Sequence, residues 1–169
     1  GETVTVTDET GNATSLTIPD FVIDLTGPTM AISSSTVSDG ASSNDDSIAL
    51  TFTSSESTTN FDESDITESG GSISNFSGSG TSYSATFTPT ADGATTIDVA
   101  AGGFTDASGN INSAATQFNW TYDFTPPSME ITAANSEGSI SQGTTSSDAT
   151  VTLTFTSSEE IEDFSVDDI

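Results

Sequence analysis

Apolar side chains recur at every second position in short runs: Val4–Val6, Ile48–Leu50–Phe52, Tyr83–Ala85–Phe87, Ile97–Val99 and Phe118–Trp120–Tyr122. A period of two puts successive apolar residues on one face of an extended backbone, so each run reads as a half-buried β-strand. Ser and Thr make up roughly a third of the chain, and Thr favours strands. No segment shows an apolar period of 3.6, and no apolar run approaches membrane-spanning length. The chain starts, at GETVTVT, already inside a strand pattern with no visible signal peptide, so any export signal is expected to lie outside it. In the central region the pattern predicts strands at 29–34, 47–54, 58–62, 72–76, 81–88, 94–100 and 115–122. Phe52, Phe87, Phe118, Trp120 and Tyr122 are the candidate core aromatics.

The pattern also repeats. LTFTSSE occurs at 50–56 and again at 153–159, and the match extends to DDSIALTFTSSESTTNFDESDI (45–66) against DATVTLTFTSSEEIEDFSVDDI (148–169), an offset of 103. DLTGPTMAIS (24–33) pairs with DFTPPSMEIT (123–132) at an offset of 99, and VTDETGNATS (6–15) with FTDASGNINS (104–113) at 98. Fixed blocks with length variation between them are how structural repeats behave. The expected organisation is therefore the C-terminal strands of one repeat (1–23), a complete repeat (24–122) and the N-terminal half of a third (123–169). A unit of about a hundred residues with some seven short strands has the size of an immunoglobulin-like sandwich. The expected fold class is all-β, a series of tandem Ig-like β-sandwiches of which this chain is a window. Head and tail fragments of neighbouring copies do not complete each other: repeat positions 67–98, with three predicted strands, are covered by neither.

Charge narrows the function. The chain has 26 acidic residues, no Lys, Arg or His, no Cys, and a formal net charge of −26. Nucleic-acid binding needs cations against phosphate, and a basic patch is needed for anionic lipid. A catalytic triad needs a base, and Schiff-base or thiol chemistry needs Lys or Cys. Zinc prefers Cys and His. Carboxylates, hydroxyls, amides and backbone carbonyls remain, and these hard oxygens suit calcium. Disulfides are impossible, and mutual repulsion of the acids opposes compaction. Bound divalent cations would relieve it; a saline habitat and a need for solubility also account for the overall charge.

Three motifs appear twice in the same order: D-x-T-x-P at 24–28 and 123–127, F-T-S-S-E at 52–56 and 155–159, and D-x-x-G-N at 8–12 and 106–110. Together they resemble the bacterial Ig-like repeats of giant surface adhesins and related extracellular fibre proteins. That resemblance implies rods projecting from the cell surface, neighbouring repeats as partners, and calcium at the junctions. The absence of Lys and Arg is a departure from the family.

Strand direction gives a separate argument. In a seven-strand sandwich of alternating direction, the linker, the end of the second strand and the loop between the last two strands meet at one pole. Asp24, Glu56, Asp106 and Asn110 are thus candidate calcium ligands, with Asp123 and Glu159 (or Glu160) playing the same parts in the next repeat. Asp39, Asp45, Asp46 and Asp92 belong to the opposite pole, where they could face the Asp123 linker. Each motif also has a purely structural reading. Asp in D-x-T-x-P can form an Asx-turn before the restricted linker, D-x-x-G-N is a good turn, and DESD (62–65) is solvated acid. Asn12, Asn75 and Asn119 fit the N-glycosylation triplet, which chance alone supplies in a Ser/Thr-rich chain.

The function expected is a non-enzymatic spacer or stalk segment of a long extracellular fibre or adhesin, at the cell surface or secreted. A homopolymeric filament subunit is one rival. A module recognising glycan or protein through loops at one pole is another, although those loops are Ser, Thr, Gly and Asp. Phe76 and Phe104 are the exceptions, and Phe104 is expected to pack beneath its loop. A two-carboxylate glycosidase has no cleft-forming architecture to support it.

Overall fold

The computed structural model describes residues 1–169, which form two compact units, Gly1–Asp123 and Phe124–Ile169. The first unit holds β1 (Thr3–Thr7), β2 (Ala13–Thr17), β3 (Met30–Ser34), β4 (Ser42–Ser43), β5 (Ile48–Thr58), β6 (Ile66–Ser69), β7 (Gly71–Pro89), β8 (Gly93–Val99) and β9 (Phe118–Tyr122). The second holds β10 (Met129–Asn135), β11 (Gly138–Ile140) and β12 (Thr152–Ser157). The only helical elements are two short 3-10 turns, Glu63–Asp65 and Val166–Asp168.

In the first unit β3, β5 and β7 form one sheet and β4, β9, β8 and β6 another. Alternation decides which faces meet. Ile48, Leu50 and Phe52 of β5 and Tyr83, Ala85 and Phe87 of β7 turn inward, as do Ile97 and Val99 of β8 and Phe118 and Trp120 of β9. Phe87 and Trp120 meet edge-on, ring centroids 6.4 Å apart, across the core between the sheets. This is the Ig-like β-sandwich expected from the sequence.

The segment 71–89 is extended throughout but folds back on itself. Ser77 and Ser84 hydroxyls lie 3.2 Å apart, the Ser74 hydroxyl donates to Thr86 O (3.5 Å), and Thr90 N–H donates to Gly70 O (3.0 Å). Residues seven apart on a straight strand would be roughly 23 Å apart, so the predicted strands at 72–76 and 81–88 are two arms of one hairpin.

The predicted strand at 58–62 does not form. The chain leaves the sheet after Thr58, and Asp62 caps the 3-10 turn. Its carboxylate accepts from Ser64 N–H (2.8 Å), and the Asp65 carboxylate accepts from Asp62 N–H (2.9 Å). Short acidic side chains offer the backbone these local bonds in place of a ladder. The strand appears instead as β6, paired with β8. Phe61, 5% exposed, enters the core from the connecting segment and contacts Phe52, Phe76, Tyr83 and Phe104.

The second unit is a three-stranded sheet ordered β11-β10-β12. Met129 pairs with Ser157 as Met30 pairs with Ser54, and Ile131 with Phe155 as Ile32 with Phe52. Ser128 N–H donates to the Ser158 hydroxyl at 2.9 Å, as Thr29 N–H does to Ser55 at 2.9 Å.

Candidate metal centre

D-x-x-G-N builds a turn that holds its own carboxylate. At 106–110, Asp106 accepts from Asn110 N–H (2.8 Å) and from Asn110 Nδ2 (2.9 Å), while Asp106 N–H donates to Asn110 O (3.1 Å). Gly109 sits at φ 89°, where a side chain would strain the turn. Asp8 accepts from Asn12 in the same way, at 2.8 and 2.9 Å, in the hairpin of β1 and β2. These donors stabilise the ionised acid. The Asn12 amide, followed by the Thr10 hydroxyl, lowers the Asp8 pKa to about 2. The Asn110 amide holds Asp106 below the usual carboxylate range.

Asp106 is 5% exposed and lies against the end of β5, where it makes an isolated bridge with Thr58. Two residues back on the same strand face is Glu56, half-buried. Asp24 arrives from the linker. Its Oδ1 accepts from Thr26 N–H (3.1 Å), its Oδ2 from the Ser108 hydroxyl (3.3 Å), and its backbone O from Asn110 Nδ2 (3.1 Å). Carboxylate oxygens of Asp24, Glu56 and Asp106 all lie within 4.8 Å of one another. Oxygens on opposite sides of a calcium ion are separated by up to about 5 Å, so these three fit around one ion. Glu56 registers the crowding: loss of water raises its pKa, and the charges of Asp24 and Asp106 raise it further. The N-terminus, the sole ion-pair donor, is bonded to Asp20 (2.9 Å).

Asn110, an expected ligand, is bonded to two of the three acids. Its Nδ2 is committed to Asp24 O and Asp106 Oδ2, so through that atom it braces two acids against each other. Asp123 and Glu159 fall in different compact units. Asp123 N–H donates to Ser43 O (3.1 Å), and the backbone N–H of half-buried Glu159 donates to the Ser157 hydroxyl oxygen (3.4 Å). Two acids of the opposite pole have bonding duties of their own: Asp39 accepts from Asn119 N–H (2.8 Å), and Asp45 accepts from the Ser43 hydroxyl.

Sequence reasoning missed the residues that fix the loop. Asn60 Oδ1 accepts from Thr105 N–H (3.0 Å) and ties the loop to the end of β5. Asn112, 2% exposed, accepts from Phe104 N–H (3.1 Å) and donates to Ala100 O (2.8 Å) and Ser113 O (2.9 Å). Their signal was Asn beside a turn, which is common. Ser108 was the variable x of its motif. Phe104, 1% exposed, packs beneath the loop as expected.

No helix of the molecule is long and apolar enough to cross a membrane. No curated protein and no solved structure matched the chain. A family model described as bacterial Ig-like domain matches residues 24–122. With that match over more than half its length, and the sandwich described above, the chain belongs to the bacterial Ig-like domain family.

Proposed function

We propose that this chain is a spacer segment of a long extracellular fibre or adhesin whose junctions are stiffened by calcium. The observation that carries the reading is the convergence of Asp24, Glu56 and Asp106 to within 4.8 Å. Each comes from a different element: the linker, the end of β5 and the loop before β9. An ion held by all three would fasten the linker to the sandwich, which is the point where a rod of repeats must resist bending. Asp24, Glu56 and Asp106 would be the ligands, with water and backbone carbonyls completing six to eight oxygens. The ion would supply the positive charge that the chain lacks.

The test is thermal unfolding of the 169-residue chain, followed by Trp120 fluorescence, in calcium and in excess chelator at fixed ionic strength. Calcium is expected to raise the midpoint of the wild type. The Asp106→Asn variant is expected to lose most of that gain and to keep the sandwich. Equal midpoints with and without calcium would reduce these acids to solvating charge and leave a plain spacer.

A second reading, a subunit that polymerises through its ends, draws on exposed apolar positions of the two terminal segments, such as Phe21 (80% exposed) and Leu153 (50%). Light scattering over a range of concentrations separates the two: a spacer segment keeps the mass of one chain.

A further inference from the structure

β12 lies at the edge of its sheet, ordered β11-β10-β12, whereas its copy β5 lies between β3 and β7. In the first unit β7 pairs antiparallel with β5 and sets Phe87 opposite Ile48, Ala85 opposite Leu50 and Tyr83 opposite Phe52. The offset of 103 carries those three acceptor positions to Val151, Leu153 and Phe155. Val151 and Leu153 are exposed, and the outer edge of β12 has no strand beside it. An edge strand with apolar residues at alternate positions is a template for one more strand.

The end of this strand carries a socket. Phe164 leans on Phe155, ring centroids 5.3 Å apart, as Phe61 leans on Phe52 at 5.9 Å. In the first unit Phe61 also meets Tyr83 (5.0 Å) and Phe76 (5.6 Å), both on the β7 hairpin. In the second unit Phe164 instead lines an open pocket of about 200 Å³ with Pro127, Met129 and Ile161, and the acids Asp163 and Asp168. A cavity of roughly 150 Å³ is enough for a benzene ring.

One position decides which ring fits. In the first unit Tyr83 Oη lies 2.7 Å from the Thr58 hydroxyl and 3.2 Å from Thr58 O. The residue at the place of Thr58 in the second copy is Ile161. A carbon cannot come as close as a hydrogen-bonded oxygen, since apolar contacts settle at about 3.5–4.0 Å. Isoleucine also gives a hydroxyl no side-chain partner. A Phe ring meets neither obstacle.

We propose that the free edge of β12 and this pocket are the docking site for a β7-type hairpin, supplied by the second half of an Ig-like repeat in the same fibre, and that Ile161 makes the site select Phe over Tyr opposite Phe155. The source in the fibre rests on the spacer reading; the site rests on the second unit alone. The β7 hairpin of the first unit carries Tyr at the selecting position and is thereby a poor match. Misassembly between neighbours is a characteristic failure of repeat proteins, and a Thr-to-Ile difference between copies discriminates against it.

The probe is a synthetic peptide of residues 71–89, titrated into the full chain in excess chelator and followed by nitrogen-15 amide shifts and amide exchange. The peptide carrying Tyr83→Phe is expected to slow exchange in β12 and to leave β5 unchanged. It should bind about tenfold more tightly than the peptide with Tyr83, the cost of one buried hydroxyl left unsatisfied. Ile161→Thr in the chain should erase that preference, and Leu153→Asp should abolish binding of both peptides. No binding of either peptide, binding at β11, or equal affinities in the chain with Ile161 would overturn the proposal. Light scattering of the chain alone tests the source separately. A mass above one chain that the peptide reduces would make the occupant a second copy, which overturns both the source and the spacer reading and leaves the selectivity to stand or fall on the titration.

Discussion

β3 with β5, and β10 with β12, are nearly the same pair of strands in sequence and register, yet they live in different surroundings. Met30 is 4% exposed and its counterpart Met129 38%; Leu50 is 1% exposed and Leu153 50%; Ile48 is 1% exposed and Val151 45%. The pairing of Met with Ser, the hydroxyl bond before it and the 3-10 turn after it are alike in both. Pairing is thus written locally, in alternation and Ser/Thr side chains. Burial is written elsewhere, in β7, which extends the sheet of the first pair, and in β8 and β9 of the sheet that faces it. The same seven letters make a core in one place and an apolar surface in the other.

The sharpest way to break this equivalence is to truncate the same leucine twice. Leu50→Ala should destabilise the first unit by about 2–5 kcal/mol, because it opens a cavity between the sheets. Leu153→Ala should cost less than about 1 kcal/mol, since half of that side chain already meets water. The chain has one Trp, at 120, 1% exposed, so denaturant unfolding followed by its fluorescence reads the first unit, and far-UV circular dichroism reads both. Equal costs for the two substitutions would mean that the surroundings do not decide burial.

A smaller effect isolates what β7 contributes to the first pair. Thr58 at the end of β5 shares a buried hydrogen bond with Tyr83 of β7, with the two hydroxyl oxygens 2.7 Å apart, and Tyr83 Oη also lies 3.2 Å from Thr58 O. Tyr83→Phe removes the hydroxyl and leaves Thr58 without its partner in a site only 2% exposed. The expected loss is about 1–2 kcal/mol, measured by the same unfolding experiment. A loss near zero would show that the hydroxyl adds nothing to the backbone pairing of the two strands and the ring packing against Phe61 and Phe76.

These particulars show what could be read in advance. Alternation located β5, β8 and β9, and Trp120 and Phe87 as facing core residues, because a half-buried sheet leaves a period of two in the sequence. The direction of the strands was enough to bring Asp24, Glu56 and Asp106 to one pole. The segment 58–62 was expected as a strand, whereas the carboxylates of Asp62 and Asp65 turn the chain. The bracing role of Asn110 and the loop contacts of Asn60 and Asn112 were not legible. Each depends on a partner 8 to 86 residues away, and no local pattern encodes such a distance.

The smallest effect compares two acids of one site. Glu56 binds its proton more tightly in the folded protein than in the unfolded chain, first because the site keeps water from it and then because Asp24 and Asp106 stand beside it. Ionised Glu56 therefore opposes folding above its raised pKa, and the penalty is relieved as pH falls through that pKa. Asp106 runs the other way. The Asn110 amide lowers its pKa, so it contributes stability above the ordinary carboxylate range that is lost as pH falls through its lowered value. In chelator at pH 7, Glu56→Gln should therefore raise the unfolding midpoint, and the gain should shrink as the pH falls below the raised pKa and wild-type Glu56 is itself neutral. In calcium the sign should reverse, because the substitution removes a charged ligand from the proposed site. A Glu56→Gln variant less stable than wild type in chelator would mean that the carboxylate has a favourable partner in the apo protein, and the crowding of the three acids would then not be what makes this pole receptive to a cation.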